Sequence, residues 1–167
     1  SEDSRFGNQS RLTSATTVQL PNGQSATLYA GRTVQLADAD DPMSLVSQTD
    51  TMVVAGATFR GVYAAAARTY TTTSPEGRST VMTMDASGRV IQVASGGLAP
   101  IRYTYDSRGR LATVSQGDRT ETYAYNALGR LSSVTDALGR ITSFTYDLAG
   151  RLVSQSLPGG RTVAFTY

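Results

Sequence analysis

The chain has 167 residues, of which 40% are hydrophobic, and its 15 basic and 13 acidic residues give a formal charge of +2. It contains no histidine, cysteine or lysine, which removes the usual general base, disulfides, thiolate metal sites and Schiff-base chemistry. The small charge argues against nucleic-acid binding, and no uncharged apolar run is long enough to span a membrane. We therefore predict a protein that is not an enzyme and that holds no metal or cofactor.

The segment 1–62 reads as degenerate β-hairpin repeats. Asn22-Gly23 lies between two segments rich in β-forming residues, 16–20 and 25–29, and this dipeptide is a strong hairpin signal. Ala30-Gly31-Arg32 resembles a Gly-Arg turn that recurs further along the chain. Residues 37–42 form a polar acidic segment, for which we expect a loop.

The segment 63–167 reads as a regular repeat array that is continuous with the first part. One phrase recurs in it: a hydrophobic residue, Asp or Asn, two variable residues, Gly, Arg and an aliphatic residue. The copies occupy positions 84–90, 105–111, 125–131 and 146–152, with glycines at 88, 109, 129 and 150. A degraded copy starts at Tyr63, and for its segment 64–68 we expect a longer loop. A fixed period of about 20–21 residues predicts units that bury apolar surface against their neighbours.

A second set of turns lies about half a period from the first, at positions 74–78, 116–119, 136–140 and 157–161. Turns at this spacing leave segments of strand length that are rich in Thr, Tyr, Val and Phe. The predicted strands are Thr69–Thr73, Thr80–Met84, Ile101–Tyr105, Thr120–Tyr125, Arg140–Tyr146 and Thr162–Tyr167. The predicted fold is all-β, built from antiparallel hairpin repeats that follow the period of the glycines.

Each position of the repeated phrase has a structural role in this interpretation. Asp or Asn opens the turn by accepting a backbone N–H, and Gly takes the positive φ that follows a type I turn. The arginine then either lies over the preceding tyrosine ring or pairs with the aspartate. The residues that carry these roles are Tyr105, Asp106, Gly109, Arg110, Tyr125, Asn126, Gly129, Arg130, Tyr146, Asp147, Gly150 and Arg151.

The strands that return from these turns leave one question open. Strict alternation places Tyr103 and Tyr105 on one face of the sheet, but Leu111 and Val114 are three residues apart. Either a bulge separates them or both faces are partly buried.

The phrase Tyr-Asp-x-x-Gly-Arg-Leu at this period resembles the YD repeat of the bacterial Rhs family, which also occurs in wall-associated proteins, Tc-toxin components and teneurins. The resemblance covers roughly the segment 63–167, with Asn126 in place of Asp and Met84 in place of Tyr. It implies a long antiparallel sheet that curls or spirals into a hollow shell, often around a toxic C-terminal domain. Because the copies stop at Tyr167, we expect an excerpt of a longer array or a subunit completed by a neighbour.

The resemblance implies a structural function, as a segment of a shell wall or an extended surface assembly, in a protein that is extracellular or displayed at the bacterial cell surface. Its partners are then further repeats of the same polypeptide or other copies of itself. One alternative is a carbohydrate-binding surface made by the regularly spaced aromatic residues. A second alternative is a filament that grows at an edge containing Arg161, Val163, Phe165 and Tyr167. We interpret Asp38, Asp40, Asp41 and Asp50 as solvated acids and not as a catalytic or calcium site.

Overall fold

A computed structural model describes Asp3, Arg5, Phe6 and residues 12–167 of the chain. Fourteen β-strands and no helix are present within these residues, so the part described contains no helix able to cross a membrane. Within each unit described below, the strands pair as antiparallel hairpins, and the predicted all-β repeat fold is confirmed. The chain divides into two compact units, Ser1–Leu98 and Ala99–Tyr167.

The first unit contains seven strands, each paired with the next along the chain. They are β1 (Ala15–Gln19), β2 (Ser25–Leu36), β3 (Leu45–Val54), β4 (Ala57–Ala64), β5 (Thr69–Thr73), β6 (Ser79–Met84) and β7 (Val90–Ser95). The hairpin predicted at Asn22-Gly23 joins β1 to β2. Its glycine has a φ of +79°, and its N–H donates to the carbonyl of Leu20 at 3.0 Å.

Two local predictions for the first unit are wrong. Gly31 does not lie in a turn but inside β2, opposite Thr51, because the β2–β3 pairing runs through it without interruption. The turn that follows β3 is formed by Ala55 and Gly56, with φ of +49° and +81°. Positive φ at both central residues is the pattern of the two-residue hairpin turn that matches strand twist.

The second wrong prediction is the longer loop over positions 64–68, which is a tight turn. Pairing between β4 and β5 continues as far as Ala64 and Thr69, which leaves four residues to reverse the chain. The N–H of Arg68 donates to the carbonyl of Ala65 at 3.1 Å. Arg68 has a φ of +50°, so it adopts the left-handed conformation that glycine adopts in the repeats that keep the full phrase.

The second unit also contains seven strands paired in chain order. They are β8 (Ile101–Tyr105), β9 (Leu111–Gln116), β10 (Arg119–Tyr125), β11 (Leu131–Thr135), β12 (Ile141–Tyr146), β13 (Leu152–Ser156) and β14 (Thr162–Ala164). β14 is shorter than the predicted Thr162–Tyr167, although the N–H of Phe165 still donates to the carbonyl of Val153 at 3.0 Å.

A β-bulge explains the three-residue spacing of the aliphatic residues. Tyr105 pairs with Leu111, whereas Thr104 pairs with Thr113, so the register shifts by one residue between them. After the shift, Val114 lies opposite Tyr103, and both aliphatic residues share the face of the two tyrosines. The same shift occurs at Tyr125 and Tyr146. Of the two explanations left open by the sequence, the bulge is therefore the one observed.

The two faces of the second unit differ in chemistry. One face carries the tyrosines, the phenylalanines and most of the aliphatic residues, while the other carries mainly serine and threonine, with Ile141 as an exception. Cross-strand hydroxyl pairs form on the second face, with Thr104 and Thr113 at 2.7 Å and Thr145 and Ser154 at 2.9 Å. No hydrophobic side chain among the described residues of either unit is fully buried. The stabilising contacts must therefore run sideways, from each hairpin to its neighbours within the sheet.

Candidate functional site: the turns and their arginine–tyrosine ladder

The turn at Asp106 shows how the repeated phrase folds. One carboxylate oxygen of Asp106, Oδ1, accepts the backbone N–H groups of Arg108 and Arg110, each at 2.9 Å. The N–H of Gly109 donates to the carbonyl of Asp106 at 2.9 Å. Gly109 has a φ of +78°, which a side chain bearing a Cβ atom adopts only at a cost. The sequence thus builds a type I turn closed by a left-handed glycine.

The same arrangement recurs in both sets of turns. Asp85 and Asp136 each accept two backbone N–H groups through Oδ1, as Asp106 does. Asp136 belongs to the second set, yet its turn Asp136–Arg140 has the same hydrogen bonds as the first set. The sequence Asp-Ala-Leu-Gly-Arg at 136–140 matches the repeated phrase except for the residue before the aspartate. This match could have predicted that the turn at Asp136 resembles the first set, although its position places it in the second set.

Each aspartate of these turns also pairs with the arginine four residues later. Nη2 of Arg110 lies 2.7 Å and Nε 2.8 Å from Oδ2 of Asp106, and equivalent pairs join Asp85 to Arg89, Asp136 to Arg140 and Asp147 to Arg151. The backbone N–H of Arg110, and then its guanidinium, hold the pKa of Asp106 below the ordinary value. The backbone N–H of the paired arginine is likewise the largest cause of the lowered pKa of the other three carboxyls.

The arginines of the repeats stack on tyrosine rings, but not on the preceding rings that the sequence suggested. The guanidinium carbon of Arg110 lies 4.2 Å from the ring centre of Tyr125, which belongs to the next repeat. Arg130 and Tyr146 are 5.7 Å apart, and Arg151 and Tyr167 are 4.9 Å apart. The prediction of a preceding ring is wrong because the arginine starts the returning strand, whose free side faces the next hairpin.

The same tyrosines bond back to the preceding repeat through their hydroxyl groups. Tyr125 donates to the carbonyl of Leu111 at 2.9 Å, Tyr146 to Leu131 at 2.9 Å and Tyr167 to Leu152 at 3.1 Å. We call the set of Arg110–Tyr125, Arg130–Tyr146 and Arg151–Tyr167 contacts the arginine–tyrosine ladder. Its rings have a guanidinium on them and its hydroxyls are already bonded, which argues against these tyrosines as a platform for sugar rings.

The turn glycines next to the ladder have a second role besides their φ. A Cβ atom built on Gly129 would lie 3.4 Å from Nη1 of Arg110, and one built on Gly150 would lie 2.6 Å from Nη2 of Arg130. In contrast, a Cβ atom on Gly139 would meet no atom within 4 Å. Glycine at 129 and 150 therefore leaves the space in which the arginine of the preceding repeat lies.

The remaining candidate residues are dispersed. Asp38 and Asp41 accept backbone N–H groups of their own loop, those of Asp40 at 3.0 Å and Met43 at 2.8 Å. Asp50 lies in β3 and pairs with Nε of Arg32 at 2.6 Å. Across Asp3, Arg5, Phe6 and residues 12–167, no group of three or more potential metal ligands comes together.

The edge suggested for self-association includes Val163 and Phe165, which are 39% and 37% exposed. Val163 pairs with Gln155 of β13, and the hydroxyl of Tyr167 is bonded within the ladder. Strand addition at this edge stays a prediction.

A cleft of about 560 Å³ in the first unit has exposed Met52 and Phe59 among its lining residues.

The sequence profile of the teneurin YD-shell family matches residues 2–167. The chain belongs to the teneurin YD-shell family. This confirms the resemblance to YD-repeat proteins that the turn phrase suggested, and it extends the match into the irregular segment 1–62. The YD-shell of this family is a structural shell element.

Solved structures share the fold of this chain at low sequence identity. The crystal structure of TcdB2–TccC3–TEV matches with a TM-score of 0.56 and 12% identity, covering 92% of this chain and 12% of that chain. The Tc holotoxin pore of Photorhabdus luminescens matches with a TM-score of 0.50 and 12% identity, covering 92% of this chain and 11% of that chain. No curated protein matches the sequence. The chain thus corresponds to a small fraction of the length of the solved proteins.

Proposed function

We propose that this chain is a length of wall in a hollow β-shell of a larger secreted or surface-displayed protein, where it joins further repeats of the same polypeptide. The observation that supports this best is a sheet in which no described hydrophobic side chain is fully buried. A module that works alone normally buries a core between two layers. A wall has no such need, because its strands are held by their neighbours to either side.

The ladder supplies the lateral contacts that a wall requires. Arg110 holds its own turn through Asp106 and touches the next repeat through Tyr125, while the hydroxyl of Tyr125 returns to the carbonyl of Leu111. Each hairpin is thus bonded to the preceding one by side chains as well as by the strand pairing. Such a chain of nearest-neighbour contacts extends to any number of repeats without a new fold.

The roles that we assign to residues follow from this function. The tyrosines at 105, 125 and 146 belong to the wall face, the residues Asp106, Asn126 and Asp147 open the turns, and the arginines after the glycines join repeat to repeat. None of them is proposed to act on a substrate. Placing the protein at the cell surface or outside the cell is part of the proposal.

Cysteine labelling of the two faces tests the shell, because the chain has no cysteine of its own. Thr122→Cys places a thiol on the hydroxyl face and Val134→Cys places one on the aromatic face. In the complete polypeptide that contains this chain, a small maleimide should label both variants. A polymer-linked maleimide too large to enter a shell should label only the variant on the outer face.

The isolated chain is the matched control, since both of its faces are open to either reagent. Equal labelling of both faces by the large reagent in the complete polypeptide would show that no closed shell exists, and the proposal would then fail.

A further inference from the structure

The turn at Asn126 departs from its neighbours in a way that changes where its arginine binds. Asn126 still accepts the backbone N–H of Arg130 at 3.0 Å, so the turn itself is intact. A neutral amide, however, offers no charge to hold the guanidinium, and within the described residues Arg130 forms no ion pair. The guanidinium reaches forward instead, and Nη1 donates to the main-chain carbonyl of Asp147 at 3.1 Å.

Arg110 provides the comparison within the same unit. Its guanidinium is fixed to Asp106 by two contacts, and its Nη1 is buried beside Gly129 without a hydrogen-bond partner. Arg110 therefore approaches the next turn but does not bond to it. Arg130 lies farther from its ring than Arg110 does, 5.7 Å against 4.2 Å, because it has moved from the ring toward the next turn.

We propose that asparagine in place of aspartate at position 126 changes the role of Arg130. Instead of an ion pair within its own turn, Arg130 forms a hydrogen bond to the next turn, and we call this contact between successive turns the staple. The carbonyl of Asp147 accepts both the N–H of Gly150 and the guanidinium of Arg130. The staple therefore shares its acceptor with the hydrogen bond that closes the next turn. The hairpins β10–β11 and β12–β13 are thus tied together directly at this edge, and the identity of residue 126 sets how strongly they are coupled.

The test is amide hydrogen exchange of the isotope-labelled full chain, followed by NMR. Asn126→Asp restores a carboxylate that draws Arg130 back to its own turn, as in the three neighbouring phrases. Exchange at Gly150 and Arg151, in the next turn, should then become about tenfold faster, the factor expected for loss of one hydrogen bond from a charged donor. Exchange at Arg130 itself should become slower, because its own turn gains the ion pair between the new carboxylate and the guanidinium.

Two further variants separate the staple from a general effect on stability. Arg130→Gln should reproduce the faster exchange at Gly150, and it should add nothing in the Asn126→Asp background. Asn126→Ala removes the acceptor of the turn but introduces no charge, so exchange should rise at Arg130 and stay unchanged at Gly150. If Asn126→Asp slowed exchange in both turns, or left Gly150 unchanged, the inferred staple would be wrong.

Discussion

The two roles of the turn glycines can be separated by comparing Gly150 with Gly139. Both have a positive φ, +90° and +76°, so an alanine at either position carries the left-handed backbone cost of about 1–2 kcal/mol. At Gly139 the new Cβ atom meets open space, whereas at Gly150 it would lie 2.6 Å from Nη2 and 2.9 Å from Cζ of Arg130. Gly150→Ala must therefore also displace the guanidinium.

The additional cost follows from what Arg130 loses when it moves. It gives up a stacking contact with Tyr146 worth about 0.5–1 kcal/mol, and a hydrogen bond to a main-chain carbonyl whose net contribution is about 1 kcal/mol in a half-exposed position. We expect Gly150→Ala to lower the free energy of unfolding by about 1.5–2 kcal/mol more than Gly139→Ala does, which is the sum of these two losses.

Urea denaturation of the two single variants measures this difference, and the background Arg130→Ala provides the control. In that background the extra cost at Gly150 should disappear, so that both glycine substitutions cost the same. Equal costs in the original background would refute the second role and leave φ as the sole requirement for glycine at position 150.

Three further outcomes are expected. Because the pKa of Asp106 and of its three counterparts is lowered in the folded chain, their contribution to stability is complete above the ordinary value of 3.8 and is lost as the pH falls through the lowered values. Melting temperatures measured between about pH 5 and pH 2 should fall, and Asp106→Asn should make that fall shallower; an unchanged slope would contradict the pairing with Arg110. Arg68→Gly should raise the free energy of unfolding by about 1 kcal/mol, because it relieves a φ of +50°, and a loss of stability would show that the arginine side chain matters more than the backbone. Tyr146→Phe should cost about 0.5–1.5 kcal/mol in thermal denaturation through loss of the hydrogen bond to Leu131, whereas no cost would mean that water replaces it fully.

The sequence predicts the hairpin repeats well because each position of the phrase has a local cause. Asp106 and Gly109 specify their turn through backbone chemistry within five residues, and the alternating aromatic residues specify a face. The antiparallel hairpins of the structure confirm the predicted fold class. The division of the repeats into 1–62 and 63–167 stays a prediction.

The sequence predicts less where the outcome depends on which neighbour a side chain meets. The spacing of Arg110 and the tyrosines is compatible with stacking on Tyr105 or on Tyr125, and only the pairing of β9 with β10 selects the latter. The left-handed conformation of Ala55 and Arg68 cannot be predicted from the sequence for a related reason. Neither residue type favours positive φ, and the tight pairing of the flanking strands imposes it on them.

Each arginine of the ladder stacks on the tyrosine of the next repeat. Every such contact therefore joins a residue to one that is synthesised later. A ribosome releases the turn of Arg110 before the strand that carries Tyr125, so the ring and hydroxyl of Tyr125 become available to Arg110 and to the carbonyl of Leu111 only later. These two contacts therefore form only after the following hairpin has been made. The same pair of contacts recurs at Tyr125, Tyr146 and Tyr167, so every step of the ladder depends on residues that are synthesised later.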